Sequence, residues 1–178
     1  MTHSSILALK NEVKEFSSKE LIFRLISNFD IETLRLWRNK EENRRKFIYD
    51  GIISSEQQIN WYESYKIKNN DLMFIVSESS SGTLFATVSL YDIDFTNLSA
   101  EFGRIMIGED DYKGKGLGAK ITSAIVNYAF EELNLKNVYL EVFSDNLSAI
   151  KTYEKAGFKF ESESCMNNKL VTKMRIER

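Results

Sequence analysis

The chain has 178 residues, 43% of them apolar and 28% charged, which suits one soluble domain with an ordinary core. Its net charge of −2 argues against a nucleic-acid partner needing a basic face, its single cysteine (Cys165) excludes a disulfide framework, and its single histidine (His3) leaves no basis for a His triad or metal site. No apolar run approaches the roughly 18 residues of a membrane span, and the N-terminus lacks a signal-peptide layout, so we expect a cytoplasmic protein with no metal and no membrane partner.

Ile6, Leu9, Val13 and Phe16 recur at helical spacing, with Ser4 or Ser5 as a cap. We expect residues 1–19 to be a helical extension and residues 20–178 to be one domain. Leu21–Ile26 reads as a strand. Asp30 then opens a helix carrying Ile31, Leu34, Leu36 and Trp37. Residues 35–46 hold six positive and two negative charges, a run that defaults to a solvated helix end. A second helix starts near Ser54 or Ser55, with Glu56 and Gln57 in its first turn.

Residues 72–77, 84–93 and 97–107 read as three strands of a meander, the last long enough to need a kink or bulge. Leu117, Ile121, Ile125, Tyr128 and Ala129 mark the core face of a helix, joined by Ala124 and Phe130. Asn137–Phe143 is nearly continuous in apolar character and reads as a strand buried on both faces. A helix follows over 146–156, capped by Asn146 and stopped by Gly157. A final hairpin turns through Met166-Asn167-Asn168.

The most informative stretch is Tyr112-Lys113-Gly114-Lys115-Gly116-Leu117-Gly118-Ala119-Lys120. It follows a strand and opens a helix. Glycine allows positive φ and close ligand approach. The free N–H groups of a helix's first turn attract phosphate, and the lysines add charge. The stretch reads as a pyrophosphate cradle. It fails the Walker pattern, because Glu109 stands where the first glycine belongs. It also fails the dinucleotide fingerprint, because Gly114-x-Gly116-x-Gly118 has the wrong last spacing.

Lys113-x-x-Gly116-x-Gly118 resembles the acetyl-coenzyme A signature of the GNAT superfamily of N-acetyltransferases, with Lys113 where that family has Arg or Gln. A second segment, Asn146-x-x-Ala149-x-x-x-Tyr153-x-x-x-Gly157-Phe158, is similar to the family's second signature. The resemblance implies an α/β fold, a mixed twisted sheet of about seven strands with four main helices. It implies acetyl-coenzyme A as donor. Cofactor contacts are then expected from Ile105, Met106 and Ile107 as a strand-like edge for the pantetheine arm, from Lys113, Gly114, Lys115, Gly116, Leu117, Gly118 and Ala119, and from Asn146 and Ala149. Lys113 is expected to act through its backbone N–H.

The resemblance also assigns catalytic roles. Tyr153 is the candidate acid, a phenol able to protonate the leaving thiolate. Glu141 is the candidate base, a carboxylate inside an apolar strand, where burial favours proton acceptance. Glu101 on the preceding strand is the rival. Transfer is expected to be direct, in a ternary complex, because Cys165 has no His partner.

Leu36-Trp37-Arg38-Asn39 with Arg44-Arg45-Lys46 resembles the branch of ribosomal-protein N-acetyltransferases and pseudaminic-acid-pathway amino-sugar nucleotide acetyltransferases. The expected acceptor is therefore a nucleotide-linked amino sugar or a peptide N-terminus. A polyamine or other small amine is the alternative, and a non-catalytic acyl-coenzyme A binding module the rival of another class. The sequence allows a homodimer.

Overall fold

The structure is a computed structural model that describes residues 6–47 and 49–178, with side chains from residue 9 onward. The elements run α1 (Ile6–Glu12), β1 (Phe16–Ser18), β2 (Leu21–Leu25), α2 (Ile31–Asn39), α3 (Glu41–Arg44), α4 (Ser55–Ile67), β3 (Leu72–Glu78), β4 (Leu84–Asp94), β5 (Ser99–Ile107), α5 (Leu117–Glu131), β6 (Asn137–Phe143), α6 (Leu147–Lys155), β7 (Lys159–Met166) and β8 (Lys169–Glu177). Among the described residues the eight strands lie in the order β1-β2-β3-β4-β5-β6-β8-β7. The β5–β6 ladder is parallel, and those of β1–β2, β2–β3, β6–β8 and β7–β8 are antiparallel. The mixed α/β sheet is the expected architecture, one strand wider than expected.

The additional strand corrects the reading of the first residues. α1 stops at Glu12, and Phe16 pairs with Phe23 across β1 and β2 instead of continuing the helical stripe. Its ring stacks on Phe23 at 4.8 Å and meets Phe74 edge-on at 5.6 Å. An aromatic pair of this kind stabilises by about 0.5–1.5 kcal/mol beyond area burial, which a frayed final helical turn does not match. The caps expected at Ser4 or Ser5 lie outside the described residues.

The chain divides into two compact units, one of residues 1–89 and 104–115, the other of residues 90–103 and 116–178. The first unit's core gathers Ile26, Leu34, Trp37, Tyr62, Tyr65, Met73, Ile75 and Met106. Asp30 precedes α2 without capping it. Its carboxylate accepts from the Ser27 backbone N–H at 2.7 Å and from Arg24 at 2.7 and 2.8 Å. α4 starts as expected, with a full capping box between Ser54 and Gln57, a device that contributes about 1 kcal/mol. Arg104 interrupts β5 at φ 51°, the kink its length demanded.

In the second unit α5 buries Ile121, Ala124, Ile125, Tyr128, Ala129 and Phe130 of the expected face, while Leu117 at its start is half-buried. The two-residue turn of the last hairpin holds Asn167 and Asn168 at φ 50° and 61°, the left-handed pair that suits a tight hairpin. β6 departs from expectation. It is not buried on both faces: Val138, Leu140 and Val142 are buried, while Asn137, Tyr139 and Phe143 are half-buried and Glu141 is exposed. The apolar run hid a period of two, because Tyr139 and Phe143 take the more open face.

Candidate active site

The glycine loop adopts the backbone that only glycine takes without strain. Gly114 sits at φ 70° and Gly116 at φ 71°, and Gly116 is the N-cap of α5. A Cβ on either would meet open space, so conformation and not crowding demands glycine. Gly118 differs, because a Cβ there would touch Thr152 Cγ2 of α6 at 3.4 Å. No side chain caps α5. Its first-turn N–H groups, at Leu117, Gly118 and Ala119, therefore stay open to an anion. This fits a diphosphate, the group that acetyl-coenzyme A brings to such a loop.

Lys113 is a correction. Its backbone N–H donates to the Asp110 carbonyl at 3.0 Å, closing a 3-10 turn over Asp110–Tyr112. Its ammonium pairs with Glu42 and, at 2.7 Å, with Asp110. Its backbone N–H and its ammonium are thus both occupied by partners within the chain. Lys115 keeps its charge near the Tyr112 ring, 5.6 Å from the centroid.

Asn146 caps α6. Its Oδ1 accepts from the Ala149 N–H at 3.2 Å. That bond uses the Ala149 N–H, so any contact from Ala149 to a ligand comes from its methyl or carbonyl. Seven residues on, Tyr153 is 8% exposed, its ring edge-on to Phe102 at 5.8 Å and to Phe158 at 6.1 Å. Among the described residues no group hydrogen-bonds its hydroxyl. Burial pushes its pKa up to about 12, so the phenol stays protonated at any working pH. The same burial makes it a weaker acid than an exposed tyrosine.

The two candidate bases separate clearly. Glu141 is exposed, across from Lys173 on β8. The burial that was to raise its basicity is absent. Glu101 is half-buried, across from Tyr139 in the parallel β5–β6 register, and accepts a hydrogen bond from Tyr91 at 2.6 Å. Its neighbour Phe102 is the residue that touches Tyr153. Tyr91 was not foreseen. The β4–β5 meander places alternate side chains of the two strands on one face, and that was the available signal.

The β5–β6 ladder runs over Ser99–Glu101 and stops. Beyond it, Ile105 and Ile107 are half-buried and Met106 is 6% exposed. Arg104 anchors this segment, its Nη1 donating to both carboxylate oxygens of buried Asp71 at 2.8 and 2.9 Å. That pair was also missed, since no pattern reveals a left-handed arginine inside a strand.

In the first unit the cationic run 35–46 is partly neutralised. Arg35 pairs with Glu32 at 2.6 Å, Arg45 with Glu41, and Lys40 with Asp110 at 3.2 Å. Trp37 Nε1 donates to Glu109 at 2.7 Å, and its ring lies so close to Gly108 that a Cβ there would stand 1.9 Å from it. Among the described residues no group of His, Cys, Asp and Glu could hold a metal ion, and no helix is long and apolar enough to cross a membrane.

An open helix start behind two left-handed glycines presents N–H donors of the kind that a pyrophosphate accepts from, and the helix packed on it at Thr152 carries the buried Tyr153. The chain belongs to the GNAT acetyltransferase family: residues 20–159 match the family described as the acetyltransferase (GNAT) domain. Its activity is acetyl transfer from acetyl-coenzyme A to an amine. The chain is 28% identical over 140 residues to a spermine/spermidine N(1)-acetyltransferase of Bacillus subtilis, covering 73% of this chain and 91% of that protein. It is 29% identical over 144 residues to a spermidine N(1)-acetyltransferase of Vibrio cholerae, covering 79% and 80%. The fold matches the crystal structure of a Vibrio cholerae spermidine N-acetyltransferase in complex with CoA and spermine. The TM-score is 0.82 and the identity 24%, over 90% of this chain and 96% of that one. These relatives are polyamine acetyltransferases, not members of the two branches that the Trp37–Lys46 region suggested.

Proposed function

We propose that the chain transfers an acetyl group from acetyl-coenzyme A to a primary amine of a polyamine of the spermidine class. The observation that carries this is the likeness to a polyamine acetyltransferase over nine-tenths of that protein's length. A cytoplasmic location fits a reduced, exposed Cys165.

In this reading the first turn of α5, Gly116 to Ala119, holds the pyrophosphate. Asn146 fixes the start of α6. Glu101 takes a proton from the alkylammonium, directly or through a water, since an amine of pKa about 10 must be neutral to attack. The amine nitrogen then bonds to the thioester carbonyl carbon. The carbon–sulfur bond breaks as Tyr153 protonates the departing thiolate, and the proton shed by the acylated nitrogen, passed through solvent, restores the phenol. Glu141 has no step.

Thiol release measured across spermidine, spermine, amino-sugar nucleotides and N-terminal peptides tests the acceptor. We expect kcat/KM for the polyamines to exceed that for every other amine by at least about tenfold, 1.4 kcal/mol in transition-state binding. A nucleotide sugar or peptide turning over faster overturns the reading. Self-association, which the sequence allows, is read by light scattering of the same preparation.

A further inference from the structure

Two cations of the run 35–46 are left over from both the chemistry and the ion pairing. The Arg38 guanidinium lies 3.9 Å from the Phe47 ring centroid and donates to the Tyr49 carbonyl. Arg44 donates from Nη1 to the Asp50 carbonyl at 3.1 Å. Neither forms an ion pair among the described residues. Arg38 Nη1 and Arg44 Nε are each buried without a hydrogen-bond partner. Burial first, and then the charge of Arg44, pull the Arg38 guanidinium below its ordinary pKa, against a weaker opposite pull from Asp50 and Tyr49.

Two guanidiniums from consecutive helices, α2 and α3, are thus held within electrostatic reach of each other. Among the described residues both half-buried side chains bond to neutral carbonyls, and each has one inaccessible donor atom without a partner. Buried charge is normally matched by a countercharge or an acceptor, and unmatched donors of this kind are rare. Arginine's fork favours an oxyanion over any neutral acceptor. A carboxylate has two oxygens, enough for one fork. A phosphate group presents three terminal oxygens and can accept from both.

The geometry points to a phosphate-class oxyanion site formed by Arg38 Nη1 and Arg44 Nε, separate from the pyrophosphate cradle at the first turn of α5. The site goes beyond the acceptor reading and holds whichever amine is acetylated. Its ligand is a small phosphate, free or as a monoester.

The test uses the full chain saturated with coenzyme A, so that the glycine loop is already filled. Inorganic phosphate is titrated by calorimetry, with glycerol phosphate as the ester arm, and with acetate and chloride at matched ionic strength as controls. We expect saturable one-site binding of phosphate, with tighter binding of glycerol phosphate marking a monoester as the ligand. Acetate and chloride are expected to bind at least tenfold more weakly. Arg38→Gln and Arg44→Gln should each weaken phosphate at least tenfold while the coenzyme A affinity of each variant stays at the wild-type value. If Arg38→Gln does not fold, Arg44→Gln and Arg44→Lys carry the comparison. No saturable phosphate binding to the wild type overturns the proposal, as does equal binding of chloride or unchanged binding in the Arg44 variants.

Discussion

The glycine loop and the run of residues 35–46 look alike as sequence, since both are dense in positive charge. As structure they differ. At the loop, two left-handed glycines lead into α5, whose first turn has no side-chain cap among the described residues. In the run, Arg35, Lys40 and Arg45 are bound to carboxylates of their own unit. The lesson is that a count of charges does not define a site. What attracts a ligand is polar capacity that the fold leaves unmet, and backbone geometry shows this better than side-chain type.

The sharpest way to break that comparison is at Tyr153. Tyr153→Phe keeps the ring against Phe102 and Phe158 and removes the uncapped hydroxyl. We expect kcat to fall by about 10²–10⁴ with coenzyme A affinity unchanged. Because burial holds the phenol near 12, any wild-type loss of kcat from its ionisation should begin only well above pH 10. A rate within threefold of wild type at every pH assigns Tyr153 to the core alone.

Next in size is the contrast between the two carboxylates. Glu101→Gln should lower kcat/KM by about 10²-fold at neutral pH, and the deficit should shrink toward pH 10 as more amine is already neutral. Glu141→Gln, on the open face of β6, should stay within threefold of wild type. Reversal of the two results would return the base to Glu141.

The loop itself gives a smaller effect. Gly116→Val forces a β-branched residue into φ 71° beneath the phosphate position. Coenzyme A affinity by calorimetry should fall at least about tenfold, 1.4 kcal/mol, with the melting transition still cooperative. Unchanged affinity would sink the cradle.

The smallest expected effect lies on α1. Lys10 Nζ stands 3.6 Å over the Tyr65 ring and donates to the Tyr65 carbonyl at 2.5 Å, with burial lowering its pKa to about 8. The folded pKa is below the unfolded value near 10.5, so between pH 8 and 10.5 the unfolded chain holds more protons and stability rises with pH. That contribution is complete above 10.5 and is lost as pH falls through 8. Lys10→Met should remove the rise, seen as a flatter plot of denaturant midpoint against pH.

Much of this was legible beforehand, for stated reasons. The loop, the Asn146 cap, the Tyr153 helix and the hairpin turn at Asn167-Asn168 each depend on local backbone chemistry, which glycine, asparagine and helical spacing announce. Four things were not legible. Glu141 looked buried because Tyr139 and Phe143 are apolar enough to blur the alternation of β6. Lys113 looked like a phosphate ligand because nothing in sequence shows that Asp110 takes its N–H. The Tyr91–Glu101 bond and the left-handed Arg104 held by Asp71 arise from strand register and a kink, which depend on distant residues.

The partition of the chain has a consequence for how it can be cut. β4 and β5 each pass from one unit into the other, and the boundary falls a third time inside the glycine loop, between Lys115 and Gly116. No single break therefore yields two whole halves. A fragment beginning at Gly116 would keep Tyr153 but lose Phe102, which packs its ring, and Ser99–Glu101, the parallel neighbour of β6. A fragment ending at Lys115 would carry residues 90–103 with no β6 to receive them. Splitting the gene at these boundaries, or expressing one half as a minimal cofactor binder, should give insoluble pieces. Reassembly of an active protein from separate fragments would require both to be present while each folds.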